Sequence, residues 1–226
     1  MVRHVYERVR AGRRVDRVLV ATDDARIAEA VQAFGGEVAM TSPTHATGTD
    51  RIAEAVRGIE ADIVVNVQGD EPMLDPRSID AALEPMLSDP ALEIATLSLP
   101  LTRVEEMLAP AVVKVVTDAR GRALYFSRSP IPFVRDGESR EGAARAAVTK
   151  GLARKHVGLY AFRRAALERF VALPPSQLEQ AESLEQLRAL ENGMSIHVVP
   201  IEGTAGIAVD TPQDLERVRT LLGGLR

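Results

Sequence analysis

Asp62-Ile63-Val64-Val65-Asn66-Val67-Gln68-Gly69-Asp70-Glu71-Pro72 rises from a polar turn as an apolar run and ends on two acids. The run reads as a strand over Asp62–Gln68. Gly69 lets the backbone turn sharply or come close to a ligand, and Pro72 stops the strand. In open α/β sheets, ligands bind outside the carboxyl ends of strands. Acids at that place, with no basic residue beside them, suit a hard cation such as Mg²⁺ carrying a phosphate. Solvated acids closing an ordinary strand are the plainer explanation of the same pattern.

Working outward, strands alternate with helices. Val2, Val5, Tyr6 and Val9 recur at helical spacing, giving a helix over Met1–Arg10. Val18–Ala21 is a short buried strand stopping at Thr22-Asp23-Asp24, and the next helix runs to about Phe34, closed by Gly35-Gly36. Glu37–Met40 is a second strand, Thr47–Ile59 a helix capped by Thr47 or Thr49, and Pro76–Leu87 a helix begun by proline. This alternation predicts an α/β chain with a mostly parallel, doubly wound, Rossmann-like sheet.

The middle changes character. Glu93–Leu99 alternates like a strand, and Val112–Thr117 and Arg122–Ser127 read as a hairpin across Asp118-Ala119-Arg120-Gly121. Asp136–Lys150, rich in Gly, Arg and Ala, is expected to be a mobile connection. Lys155–Phe162 is a strand, Arg163–Val171 and Ser176–Leu190 helices, Ile196–Val199 a strand and Thr211–Leu222 a closing helix. The whole chain, 1–226, is expected to be one domain, with a β-rich lobe inserted at about 110–165.

Composition narrows the function. The 226 residues are 46% hydrophobic, enough for one sizeable core. The net charge is -4 with no basic stripe, which argues against nucleic acid as a partner. The four histidines are scattered and give no zinc spacing. There is no cysteine, so disulfides and thiol catalysis are excluded, in keeping with a cytoplasmic enzyme. No apolar run is long enough to span a membrane, and the first residues given lack the apolar stretch expected of a signal peptide.

Several constellations carry candidate chemistry. His45-Ala46-Thr47-Gly48-Thr49-Asp50-Arg51 opens a helix, whose free N–H groups favour anions and polar ligand edges; taken alone, ordinary Thr capping beside a solvated Arg is the better explanation. Val209-Asp210-Thr211-Pro212 places an acid before a helix start, either as a cap or as a second metal ligand facing Asp70. Arg128, after Tyr125-Phe126-Ser127, suits a carboxylate bidentately. His156 lies inside an apolar strand, where a satisfied core histidine is common. Glu182, Glu185, Gln186 and Arg188 share a helix and by themselves read as a solvated face.

Taken together, Ala21–Asp24, Gly35–Val38, Thr47–Arg51, Val65–Pro72, Ala111–Val115, Ala123–Pro132, Lys155–Tyr160, Leu178–Arg188 and Val209–Leu215 resemble one family. It is the 3-deoxy-manno-octulosonate cytidylyltransferases, or CMP-Kdo synthetases, and the likeness runs from Met1 to about Arg219. The resemblance implies a nucleotidyltransferase that converts CTP and the acidic sugar Kdo to CMP-Kdo and diphosphate for lipopolysaccharide assembly. It implies Asp70 and Asp210 as the catalytic residues, in the role of Mg²⁺ ligands. Gly48, Thr49 and Arg51 then lie on the nucleotide, and Gln68, Tyr125, Arg128, His156, Glu185 and Gln186 on Kdo. It also implies a homodimer formed through the middle lobe.

Family members open with a strand and an Arg- and Lys-bearing loop that wraps the triphosphate, a segment without a counterpart in these residues. Hence the expectation that Met1 is an internal start, and that residues 1–226 fold poorly and lack activity without upstream residues. Diphosphate release by this chain, against an upstream-extended one, tests that. A synthetase for another acidic sugar (8-amino-Kdo or a sialic-like acid) and an inactive remnant are the alternatives.

Overall fold

The computed structural model describes residues 1–203, 206, 208–209 and 211–223. Its elements run α1 (Val2–Arg10), β1 (Val20–Thr22), α2 (Ala25–Ala33), β2 (Val38–Met40), α3 (Gly48–Ala55), β3 (Ile63–Asn66) and α4 (Pro76–Ser88). Then come β4 (Ile94–Pro100), α5 (Val104–Leu108), β5 (Lys114–Thr117), β6 (Ala123–Ser127), α6 (Arg140–Thr149), β7 (Arg154–Arg163) and α7 (Arg164–Val171). The chain continues through α8 (Gln177–Glu182), α9 (Gln186–Glu191), β8 (Ile196–Pro200) and α10 (Pro212–Gly223). Helices α2, α3 and α4 start on the side chains of Asp24, Thr47 and Asp75, each accepting a backbone N–H of the first turn. Gly35, at φ 76°, makes the left-handed turn that follows α2.

The main sheet has six strands in the order β6-β5-β7-β4-β8, with β3 also paired to β7. β3, β4 and β5 each run against β7, β8 runs with β4, and β6 runs against β5. β3, β4, β5 and β8 therefore point one way, and the long β7 is the counter-running strand that joins them. β1 and β2 form a separate parallel pair. The expected α/β class is observed, and the β5–β6 hairpin forms as its turn chemistry predicts.

Strand alternation divides the core between the two faces of this sheet. Val157, Leu159 and Ala161 of β7, with Ala95, Leu97 and Leu99 of β4, pack on Ile79, Ala82, Leu83 and Met86 of α4. On the opposite face, Val64, Ile94 and Phe162 meet Ala166, Leu167 and Phe170 of α7 and Leu187 and Ala189 of α9. Complete burial of side chains as large as these stabilises by about 1.5–3 kcal/mol each. The second face is apolar at one end and polar at the other. Val64, Ile94 and Phe162 give way to Asn66, Thr96, His156 and Tyr160 along the same strands.

Two expectations are corrected. The segment Asp136–Lys150 is no loose connection: Arg135–Gly137 forms a 3₁₀ turn, and α6 starts from Ser139, whose hydroxyl accepts the Gly142 N–H. Ala144 and Ala147 are buried with Leu101, Met107 and Ala153, and Ala143 is buried as well. Alanine has the highest helix propensity, and its small side chains hid an apolar face among Arg and Glu. The stretch Ser176–Leu190 is two helices, broken at Ser183 with φ 51°. α5 was not foreseen.

Candidate active site

The polar end of the sheet's second face forms the site floor. Asn66 is the last residue of β3 and pairs with Tyr160 of β7. Gln68 follows two residues later and so returns to the same face. The Gln68 amide donates to Asn66 Oδ1 at 3.3 Å, and Asn66 Nδ2 donates to Thr49 Oγ1 at 3.3 Å. The Thr49 hydroxyl donates in turn to Glu185 Oε2 at 3.0 Å. One directed chain thus joins the end of β3, the first turn of α3 and the start of α9. It gathers Gln68, Thr49 and Glu185, three of the residues singled out in the sequence.

Thr49, Tyr160, Glu185 and Gln186 line a cavity of about 10 Å³, backed by Phe162 and Phe170. Glu185 Oε1 and Gln186 Nε2 are buried there with no hydrogen-bond partner among the described residues. Burial pushes the Glu185 carboxyl up, partly countered by the hydroxyls of Thr47 and Thr49. Burial likewise holds the Tyr160 phenol well above its ordinary value, helped by the Glu185 charge. His156 stands next to Tyr160, with ring centroids 5.3 Å apart, and packs edge-on against Phe126. Buried polar groups left unpaired beside an aromatic wall are poised to bond a polar ligand group.

A second cluster surrounds Arg128 at the end of β6. The Glu182 carboxylate accepts the Ser127 hydroxyl at 2.6 Å and the Arg128 backbone N–H at 2.9 Å. The Tyr125 hydroxyl lies 3.5 Å from the same carboxylate. Burial acts to raise the Glu182 carboxyl, but these donors outweigh it and leave it below its usual value. The Arg128 guanidinium bonds to the carbonyls of Pro110, Glu182 and Ser183. Three of its five N–H donors are bound to backbone here, which leaves one on each terminal nitrogen for a carboxylate.

The nucleotide-side residues sit at the mouth of α3. Thr47 caps the helix and bonds Asp50, and the space a Cβ would fill at Gly48 holds no protein atom within 4 Å. A ligand can therefore approach the exposed N–H groups there. Arg51 donates to Thr41 Oγ1 at 2.7 Å and pairs with Asp23 at 3.1 Å, tying together the ends of β1 and β2. Asp70 is half-buried, and its carbonyl accepts the Val209 N–H at 2.8 Å. Gly69 has no positive φ, and a Cβ there would meet no protein atom, so its use is open space rather than an unusual turn. Asp210 lies outside the described residues. Among those described, no group of three or more metal-ligating side chains occurs.

The reading of α8–α9 as a solvated face is overturned. Gln186 and Arg188 are 7% and 3% exposed, and Arg188 forks onto Glu179 at 2.5 and 2.9 Å. Residues not singled out in the sequence that the structure places beside the candidate residues are Asn66, Asp23 and Tyr160. The alternation of Asn66 with Gln68 on one strand face was the available signal for the first. Pairing with a distant Arg51, and closeness to Glu185, had none.

An α/β sheet with an open helix N-terminus, an acid just beyond a strand and a buried Thr–Glu link makes a site for a polar, anionic ligand. The cytidylyltransferase family profile matches residues 1–196. A 3-deoxy-manno-octulosonate cytidylyltransferase of Geobacter sulfurreducens is 54% identical over 218 residues, covering 96% of this chain and 87% of that one. Another, of Syntrophotalea carbinolica, is 52% identical over 225 residues, covering 100% and 89%. The solved structure of CMP:2-keto-3-deoxy-manno-octonic acid synthetase complexed with CTP superposes with a TM-score of 0.90 at 46% identity, covering 100% and 88%. The chain is a cytidylyltransferase. It belongs to the family of 3-deoxy-manno-octulosonate cytidylyltransferases.

Proposed function

We propose that this chain transfers CMP from CTP to Kdo, giving CMP-Kdo and diphosphate. The observation that carries the reading is the chain Gln68–Asn66–Thr49–Glu185, which links the nucleotide-side helix to the sugar-side pocket in a member of this family. The anomeric hydroxyl of Kdo attacks the α-phosphate of CTP. A new P–O bond forms, the bond to the bridging oxygen of the diphosphate breaks, and the hydroxyl proton leaves. The protein supplies positioning and charge complementarity. Gly48 and Thr49 offer the α3 N-terminus to the nucleotide, and Arg51 braces it. Tyr125, Arg128, His156, Glu185, Gln186 and Gln68 surround Kdo.

Mg²⁺ fits the donor set: the Asp70 carboxylate stands half-exposed at the carboxyl end of β3, and hard carboxylate and phosphate oxygens suit this ion. Asp70 and Asp210 would hold it, where it would neutralise phosphate charge. The bond from Val209, the neighbour of Asp210 in the chain, to the Asp70 carbonyl supports that pairing. A homodimer through residues 110–165 is supported by Leu124, Phe133 and Leu152, exposed at 61%, 66% and 49%. Among the described residues, no helix is long and apolar enough to cross a membrane. We place the reaction in the cytoplasm, feeding lipopolysaccharide assembly.

Diphosphate release from CTP in the presence of Kdo, 8-amino-Kdo or a sialic acid tests the reading. Preference for Kdo supports it. Turnover with a sialic acid and none with Kdo would move the function to the related synthetases.

A further inference from the structure

Lys114 is fully buried, yet none of the roles above uses it. It begins β5, opposite Ser127 of β6 and Lys155 of β7. Its ammonium donates to three backbone carbonyls: Ala109 at 3.0 Å, Val112 at 2.6 Å and Arg128 at 2.5 Å. Three N–H donors meet three acceptors, so the group is saturated as a cation. The guanidinium of Arg128 reaches Pro110, which lies between Ala109 and Val112. Arg128 is thus referenced to one loop at both ends, its backbone through Lys114 and its side chain directly.

We propose that Lys114 is a positioning residue that holds Arg128 and the 109–112 loop in the geometry that receives the sugar carboxylate. This rests on the reading of Arg128 as a Kdo residue. The hold depends on charge. The neutral amine has two hydrogens for three carbonyls, and its lone pair would face the third oxygen. Burial pulls the ammonium down to about 8, opposed by Glu182 and reinforced by Arg128 and Arg140. Lys155 is the remaining cation opposite it in the sheet. The clasp is therefore complete at neutral pH and loosens just above it.

The test is calorimetric titration of Kdo and, separately, of CTP from pH 6.5 to 9.5, on wild type, Lys114→Arg, Lys114→Met and Arg128→Ala. In wild type, Kdo affinity should fall several-fold, by about fivefold, through pH 8 while CTP affinity stays level. Lys114→Arg, a cation that does not titrate there, should flatten the Kdo profile. Lys114→Met should bind Kdo about tenfold more weakly at pH 7, with CTP little changed. A wild-type Kdo profile that is flat across pH 8 overturns the proposal, and needs no variant that folds. So does an equal loss of Kdo and CTP in Lys114→Met, which is what a merely structural lysine would give. If Arg128→Ala binds Kdo like wild type, it is instead the assignment of Arg128 that fails.

Discussion

The His156 ring donates its Nε2 proton to the Thr96 hydroxyl, 2.9 Å away. The direction follows from counting hydrogens. Thr96 Oγ1 lies 2.7 Å from the Leu159 carbonyl and 3.2 Å from that of Val157, and a carbonyl only accepts. The hydroxyl hydrogen goes to the nearer carbonyl, that of Leu159, and the ring then donates its Nε2 proton to the hydroxyl oxygen. His156 is therefore the Nε2–H tautomer, with Nδ1 left as an acceptor. Burial holds the ring down to about 3.

That neutrality predicts an acid-sensitive fold. Above pH 6.5 the ring is neutral in both folded and unfolded chains, and its titration costs nothing. Between 6.5 and about 3 only the unfolded chain takes up the proton, so stability falls as pH falls. Urea unfolding at pH 7 and 4.5 should show wild type losing about 2–3 kcal/mol more than His156→Gln. Equal losses in the two proteins would mean that the ring protonates in the fold.

Thr49 is the middle of the chain between β3 and α9. Thr49→Val strands the buried Asn66 Nδ2 and takes one donor from Glu185 Oε2, and should destabilise by about 1–3 kcal/mol. Asn66→Leu should cost a similar amount. Because both remove the same link, the double variant should lose less than the sum of the singles. Strictly additive losses in urea unfolding would show that the two side chains do not act through one another.

Much of this arrangement was legible before any coordinates. An apolar run closed by Gly69 and Pro72 gave β3, alternation gave β4, and turn chemistry gave the β5–β6 hairpin, because these signals are local and strong. The Thr47 cap gave the start of α3 and Pro76 that of α4. What stayed hidden was set by tertiary contacts. Nothing local distinguishes a buried Arg188 from a solvated one, since its partner Glu179 sits nine residues away across the break at Ser183. Helix α6 hid because Ala144 and Ala147 form an apolar face too slight to stand out among charges. Asn66 hid because a polar residue in an apolar strand looks like an interruption until its neighbour Gln68 is placed on the same face.

The Arg188–Glu179 pair should be costly to break and cheap to replace. Both side chains are nearly buried, at 4% and 11% exposure, and the Arg188 guanidinium also lies 4.9 Å over the Phe170 ring. Arg188→Met leaves Glu179 charged in the interior and should destabilise by about 3–5 kcal/mol. Changing Glu179 to Leu in the same chain should return most of that loss. A double variant no more stable than Arg188→Met would show that the ion pair, not the orphaned charge, carries the stability.

Asp70 separates chemistry from folding most cleanly, because the fold holds it by its backbone. The Val209 N–H bonds the Asp70 carbonyl, which asparagine retains. Asp70→Asn should therefore unfold at nearly the wild-type temperature. Its carboxylate, as a Mg²⁺ ligand, has no such substitute, since a neutral amide is a poorer donor to a hard cation. Turnover should fall by about two to three orders of magnitude, most severely at limiting Mg²⁺. The check is diphosphate release across a Mg²⁺ series beside a thermal melt of both proteins. A variant that melts like wild type and turns over like wild type at limiting Mg²⁺ would remove Asp70 from the metal site. A variant that melts far lower would make the carboxylate structural, and the loss of activity would then say nothing about the ion.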